Sequence, residues 1–523
     1  MTTKKNIESV LWAACDVLRV AIDASQYKDY ILTLLFVKYV SDSYREQRDE
    51  FLEKYKGDEA RADMAMQRAA RFNVPEQSRF EYLFTNRRGL RIGSEEKGIG
   101  ELIDQGLEEL QAANPGKLSS PDGGSIFQNI SFNSSNLGNP KNKHDRLKQL
   151  LEKFNDPKLD LRPSMLNNDD VIGDAYEYLI DNFASEAGKK AGEFYTPKMV
   201  SELVARLSKP EPGARICDPT CGSGSLLIKA AKQIPEDEDG RRNVSLYGQE
   251  AKGATWALSV MNMFLHGFDD AEIRWGDTLR NPKLLENGNL RKFDVVVANP
   301  PFSLKNWGHE ELEEDTWGRL SWGVPTKSKG DWAFIQHMLS TAKADSGRVA
   351  VVVPHGVLFR GASEGKIRQA VIDDHLLDAV IGLPANLFFG TGIPAAILVF
   401  DRAREADETK EILFIDASAH YTPGKNQNEL GEEDLQRVMD VYNDFTQGGL
   451  KPGVVIDKYA YVALPGEIQE NDYNLNIPRY VDTFEPEPPV DMKAVNARIL
   501  ETKGKLEEVH EEMQEILEKL GLN

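Results

Sequence analysis

Between residues 214 and 302, short apolar strands alternate with amphipathic helical stretches, and that alternation restricts the chain to few architectures. Ala214-Arg-Ile-Cys-Asp218 reads as a strand and residues 226–234 as the helix after it. Residues 244–247 are a second strand, followed by a helix over 251–265. Residues 272–275 and 293–298 are the next two strands, the last a β-branched run stopped by two prolines. This order predicts an α/β domain with a parallel, doubly wound sheet. Further strands are expected over 348–353, 377–381, 395–400 and 412–415, with helices over 332–339 and near 435–445. In such sheets ligands bind beyond the carboxyl ends of the strands, so the residues that follow each strand are the ones to read for chemistry.

The first strand runs into Asp218-Pro-Thr-Cys-Gly-Ser-Gly224. Gly222 and Gly224 let backbone approach a ligand closely, and the helix behind them presents its N-terminal N–H groups. Asp218 stands beside that turn as an acceptor. The second strand ends in Gly248-Gln-Glu250. A carboxylate roughly 20–30 positions after a glycine-rich turn suits ribose hydroxyls, since it can accept from both. The third strand ends in Gly276-Asp277-Thr278. Together these strand ends suit an adenosine-containing cofactor. The spacing is not that of a dinucleotide site, and no hydride-acceptor site is visible, which turns attention to S-adenosylmethionine.

The fourth strand ends in Asn299-Pro300-Pro301-Phe302. Asn299 offers a neutral amide oxygen, and Pro300 a carbonyl with no N–H of its own. Phe302 adds a flat apolar face for a planar base. Two acceptors and a plate suit an aromatic amine; the plainer reading is a turn closing a strand.

The flanks differ in character. Apolar residues recur at three- and four-residue spacing from residue 6 to about 55 and again over 58–70, 99–113 and 147–154, which predicts a helical domain over residues 1–165. Residues 114–142, rich in Gly, Ser, Asn and Pro, read as loop, and the stretch after Phe302, with Trp307, Trp317 and Trp322, as a long loop, either a substrate-side flap or an ordinary surface excursion. Behind a proline linker at 485–489, Met492, Val495, Ile499, Thr502, Leu506, Val509, Met513, Ile516 and Leu520 form a heptad seam. That seam suits a docking helix, within a segment 481–523 set apart from a catalytic domain over 166–480. Three cysteines give no disulfide framework, and no leader or membrane span is evident, so a cytoplasmic location is expected. No metal site is expected either. The net charge is −21, so a chain acting on nucleic acid would depend on a partner for much of its grip.

These motifs, in this order, resemble the amino-methyltransferases in which cofactor motifs precede the catalytic one, and most of all the methyltransferase (modification) subunit of type I restriction–modification systems. Tyr27-Lys-Asp-Tyr-Ile-Leu-Thr-Leu-Leu-Phe-Val-Lys-Tyr-Val-Ser41 resembles that family's helical domain, and Tyr473-Asn-Leu-Asn-Ile-Pro-Arg-Tyr480 a later motif. The resemblance implies S-adenosylmethionine contacts at Glu193, Phe194, Tyr195, Thr196, Pro197 and Lys198, at Ser223, Gly224 and Ser225, and at Glu250. It further implies that Asp277 accepts from the cofactor's adenine amine, while Asn299 and Pro300 hold the N6 amine of a flipped target adenine under Phe302. It implies double-stranded DNA as substrate, a separate specificity subunit shared by two copies of this chain, and a restriction–translocase subunit in the full complex. A methyltransferase acting on RNA or on a protein amide, or a non-catalytic cofactor-binding scaffold, is the alternative.

Overall fold

The computed structural model describes residues 2–92, 95–121, 123–166, 170–187, 196–238, 240–312, 314–388, 391–406, 411–425, 427–483 and 491–522. The chain divides into two compact units, Met1–Val481 and Asp482–Asn523.

The first unit opens with helices Lys4–Arg19, Ala24–Lys54 and Glu59–Ala69. Ile7, Val10, Leu11, Ala14, Cys15 and Leu18 are buried along one stripe of the first, the three-and-four spacing that a helix needs to bury one face. Helices Ile99–Ala112 and Pro140–Phe154 follow. The last begins seven residues ahead of its first apolar residue, Leu147, inside the stretch expected to be loop. Its start is set by a cap: Pro140 occupies the first turn, and the Asn139 side chain accepts from the Asn142 N–H at 2.9 Å. A short hairpin, Leu90–Ile92 with Glu95–Lys97, was not expected from the sequence.

Aromatic side chains join this helical layer to the sheet-bearing part of the same unit. Phe264, on helix Gly253–Leu265, lies 4.9 Å from Phe72 and 6.2 Å from Phe36 between ring centroids. Beside them Arg71 pairs with Asp269 and donates to the Tyr39 hydroxyl at 2.7 Å. Phe264→Ala is expected to cost about 3–5 kcal/mol, the usual loss for a buried phenylalanine, seen as a lower melting temperature in calorimetry.

Among the described residues ten strands form the main sheet: β1 (Ala214–Asp218), β2 (Val244–Glu250), β3 (Glu272–Trp275), β4 (Val295–Ala298), β5 (Arg348–Pro354), β6 (Leu377–Gly382), β7 (Ala395–Asp401), β8 (Ile412–Asp416), β9 (Val455–Ile456) and β10 (Ala460–Ala463). Their order is β9-β10-β8-β6-β7-β5-β4-β1-β2-β3. The run β5-β4-β1-β2-β3 is parallel, as expected. The other half corrects the all-parallel expectation, because β7 is antiparallel to both β5 and β6, and β10 to β8 and β9. Strand β6 passes to β7 without a helix among the described residues, and an antiparallel neighbour needs no helical crossover.

All of β4 is buried. Phe293 does not extend it but bridges to Ala342, its N–H donating to the Thr341 carbonyl at 2.9 Å. The long stretch after Phe302 is anchored rather than loose. Trp307 is fully buried with Leu279, Leu312, Ala333 and Phe334, and Arg319, also buried, pairs with Asp315 and donates to the Thr278 and Leu279 carbonyls.

Among its described residues the second unit contains one helix, Met492–Lys519. Asp491 caps it, its carboxylate accepting from the Lys493 and Ala494 N–H groups. The expected seam is an exposed apolar stripe: Leu506 is 68% exposed and Val509 61%. The expected proline linker, 485–489, lies outside the described residues. No described helix is long and apolar enough to cross a membrane.

Candidate active site

Strands β1 to β4 deliver their last residues to one edge of the sheet. After β1 the chain must turn sharply into helix Ser225–Lys232, and it does so through left-handed backbone at Gly222 (φ +54°) and Gly224 (φ +82°). Any side chain at Gly224 would also strike Met263 and Ser259, so this position needs glycine on two counts. The turn is tied to β2: the Gly222 N–H donates to Glu250 Oε2 at 3.1 Å, and the Cys221 N–H to the Gln249 carbonyl at 3.0 Å. Asn262 Nδ2 holds the Ser223 carbonyl at 3.0 Å, and the Ser223 and Ser225 hydroxyls lie 3.0 Å apart.

Two carboxyls stand beside this turn. Glu250 accepts from Gly222 and, at 2.8 Å, from the Lys252 N–H; burial pushes its pKa up despite those bonds. Asp218 is buried and accepts from the Thr220 N–H at 2.9 Å, and burial raises its pKa to about 8. The folded protein therefore keeps a proton on Asp218 across a range where the unfolded chain has released it. Unfolding then releases that proton, so this group makes stability fall as pH rises from about 4 to about 8. Asp218→Asn is expected to remove this component, its melting temperature gaining on that of the wild type as pH is raised from 5 to 8.

Asp277, after β3, is held on both oxygens. Oδ1 accepts from the Leu279 and Arg280 N–H groups, and Oδ2 from the Arg280 guanidinium at 3.0 Å. Arg280 also reaches Glu311 at 2.7 Å and the Asn306 carbonyl, so it joins Asp277 to the stretch beyond Phe302. Gln249, whose role the sequence did not reveal, is buried beneath these loops. Its amide donates to the Gly276 and Asn281 carbonyls, both at 3.0 Å, and accepts from the Lys283 N–H at 2.9 Å. The signal was present as an inward-facing amide at the end of an otherwise apolar strand.

At the end of β4, Asn299 Nδ2 donates to the Thr196 hydroxyl at 3.0 Å. Asn299 Oδ1 is buried and has no hydrogen-bond partner among the described residues. Pro300 is buried, Pro301 and Phe302 half-buried, and the Phe302 ring meets Phe388 edge-to-face at 5.5 Å. The tetrapeptide's exit is fixed by a network that sequence reasoning missed. Ser303, in the left-handed region (φ +50°), donates its N–H to Asp331 Oδ1 at 2.7 Å. Arg360 holds the other Asp331 oxygen at 2.9 Å and Glu364 at 3.1 Å. Nothing local in the sequence marks Asp331, since its partners are distant along the chain.

Of the expected site residues, Thr196 and Asn299 are thus in contact, as are Gly222 and Glu250. Asp218, Ser223, Gly224, Ser225 and Asp277 lie at neighbouring strand ends. Pro197 and Lys198 begin helix Lys198–Ser208, with the Lys198 side chain exposed. Glu193, Phe194 and Tyr195 lie outside the described residues. A turn without Cβ atoms at its two tightest points, a buried and a half-buried carboxyl beside it and an unsatisfied buried amide oxygen at the end of the adjoining strand fit an adenosyl methyl donor and an amine acceptor.

Comparison with known proteins agrees with this geometry. Residues 167–488 match the family described as N-6 DNA Methylase, and residues 7–154 match the HsdM N-terminal domain. The chain belongs to the N-6 DNA methylase family, whose methyl donor is S-adenosylmethionine. Over 98% of its length it is 30% identical to the type I restriction enzyme MjaVII methylase subunit of Methanocaldococcus jannaschii, covering 84% of that protein. It is 29% identical to the MpnII methylase subunit of Mycoplasma pneumoniae, over 99% of this chain and 97% of that one. The crystal structure of a type I restriction–modification methyltransferase subunit from Streptococcus thermophilus superposes with a TM-score of 0.75 at 31% identity, covering 92% of this chain and all of that one. The protein is the adenine-N6 DNA methyltransferase subunit of a type I restriction–modification system.

Proposed function

We propose that Asn299 Oδ1 and the Pro300 carbonyl hold the N6 amine of a target adenine, with Phe302 stacked on the base. The observation that carries this reading is the buried, unpartnered Asn299 Oδ1, a costly vacancy unless a donor arrives to fill it. A base inside a duplex cannot reach such a position, so the adenine is flipped out. When bound, S-adenosylmethionine supplies a methyl group activated by its sulfonium. As N6 bonds to carbon it gains positive charge, and its N–H groups become stronger donors. Asn299 and Pro300 therefore bind the transition state more tightly than the ground state; the electron pair of the broken S–C bond would stay on sulfur, and the methylated amine gives up one proton to solvent.

On the cofactor side, residues 193–198 (Thr196 through its backbone, its hydroxyl being taken by Asn299), the turn from Gly222 to Ser225, Asp218, Glu250 and Asp277 form the donor site. Glu250 serves the ribose, its carboxylate standing against the Gly222 turn whose N–H it accepts. Asp277 serves the adenine amine. Residues 1–165 form a helical domain and 166–480 the catalytic domain, with 481–523 as linker and docking helix. With a net charge of −21, this chain leaves target reading and much of the DNA grip to a specificity subunit, two copies sharing one such subunit. A restriction–translocase subunit completes the assembly, in the cytoplasm.

The test is methyl transfer from labelled S-adenosylmethionine to DNA free of adenine methylation, by this chain with and without its specificity subunit. Label on adenine N6 only when the two are combined is the expected result. Label on RNA or protein from this chain alone would overturn the assignment of partner and substrate.

A further inference from the structure

Thr196 lies in the stretch expected to touch the cofactor, yet the bond its side chain makes is to the catalytic loop. The Asn299 amide can be seated in two ways, with its nitrogen or its oxygen toward a neighbour, and only one leaves the oxygen open. Here Nδ2 faces the Thr196 hydroxyl at 3.0 Å, and Oδ1 is buried and unpartnered. Thr196 is itself fixed: it directly precedes helix Lys198–Ser208, where Pro197 is the N-cap, and its carbonyl accepts from the Ser201 hydroxyl at 3.4 Å. The hydroxyl that meets Asn299 is thus carried by a rigid helix start rather than by the loop that holds the asparagine.

We infer that Thr196 is a positioning residue for methyl transfer: it takes up the Asn299 Nδ2 donor and so fixes Oδ1 as the acceptor for the target amine. This rests on the reading of Asn299 given above and extends it to a second residue, 103 positions earlier in the chain. With the hydroxyl gone, Nδ2 loses the partner that holds it. The amide is then free to turn, and a turned amide presents a donor to an amine that needs an acceptor. The effect falls on the chemical step, after cofactor and DNA have bound.

The experiment compares Thr196→Val, Thr196→Ser and wild type, each assembled with its specificity subunit. It reads the single-turnover rate of N6-methyladenine formation and, separately, the dissociation constant for S-adenosylmethionine. Thr196→Val is expected to lower the rate by about tenfold or more, the size of one hydrogen bond lost in the transition state, with cofactor affinity within about threefold of wild type. Thr196→Ser, which restores the hydroxyl, is expected to return the rate to within about threefold. Should valine disturb folding, Thr196→Ala removes the hydroxyl without added bulk. A wild-type rate without the hydroxyl overturns the inference, as does a serine variant as slow as valine. A fall in cofactor affinity that accounts for the whole loss would make Thr196 a cofactor contact instead. Asn299→Ala runs alongside: if it stays active, the reading of Asn299 itself fails, whereas an inactive Asn299→Ala beside a fully active Thr196→Val overturns the role of Thr196 alone.

Discussion

Asn299→Ala is expected to lower the single-turnover methylation rate by about 10²–10³-fold, the usual loss when one preorganised group that meets developing charge is removed. The substitution deletes the buried Oδ1 and its Nδ2 bond to Thr196 together, but it touches neither the glycine turn nor Glu250. S-adenosylmethionine should therefore bind as before, and the assembled enzyme should still bind DNA. A rate within a few-fold of wild type would mean that the buried oxygen is not the acceptor and that chemistry is organised elsewhere on the strand ends.

If the heptad seam docks the specificity subunit, as proposed, replacing Ile499 and Leu506 together by aspartate should disconnect this chain from that subunit. The two lie seven residues apart, at the same heptad position of the exposed stripe, 46% and 68% exposed. Each aliphatic side chain buried at an interface contributes about 1.5–3 kcal/mol, so losing two of them and introducing charge weakens the complex by about 100-fold or more. Analytical ultracentrifugation of the mixed subunits would show it. DNA methylation should vanish with the complex while binding of S-adenosylmethionine by the isolated chain is retained. Unchanged assembly would show that the seam serves another purpose.

The parallel half of the sheet was legible because its strands are short apolar runs, each punctuated by glycine, proline or an acidic residue where the helix or loop begins. The mixed half was not, since apolar runs such as β6 and β7 look the same in either direction; what decides is whether a helix connects them. Capping explains the error at Pro140, where Asn139 starts a helix well before any buried residue marks its period. The strand-end residues could be named from the sequence because glycine, proline and carboxylate have few reasons to occur there together. Their partners could not. That Asn299 meets Thr196, Ser303 meets Asp331 and Gln249 holds the loop after β3 at three points follows from tertiary proximity, which no local pattern records.

The pairing of β4 with β1, Ile216 opposite Val295 and Cys217 opposite Val296, sets Asn299 one strand away from the turn at Gly222, although some seventy residues of chain intervene. Adjacent strands stand about 4.8 Å apart whatever lies between them in sequence. If the turn holds the methyl donor and Asn299 its acceptor, as proposed, their separation is gauged across the sheet and not along the chain. The exposed turn at 286–289, between these strands, can lengthen or shorten over evolutionary time without altering that gauge. A slip of one residue in the β1–β4 register would instead displace Asn299 by about 3.3 Å, and with it the stroke over which a methyl group must pass.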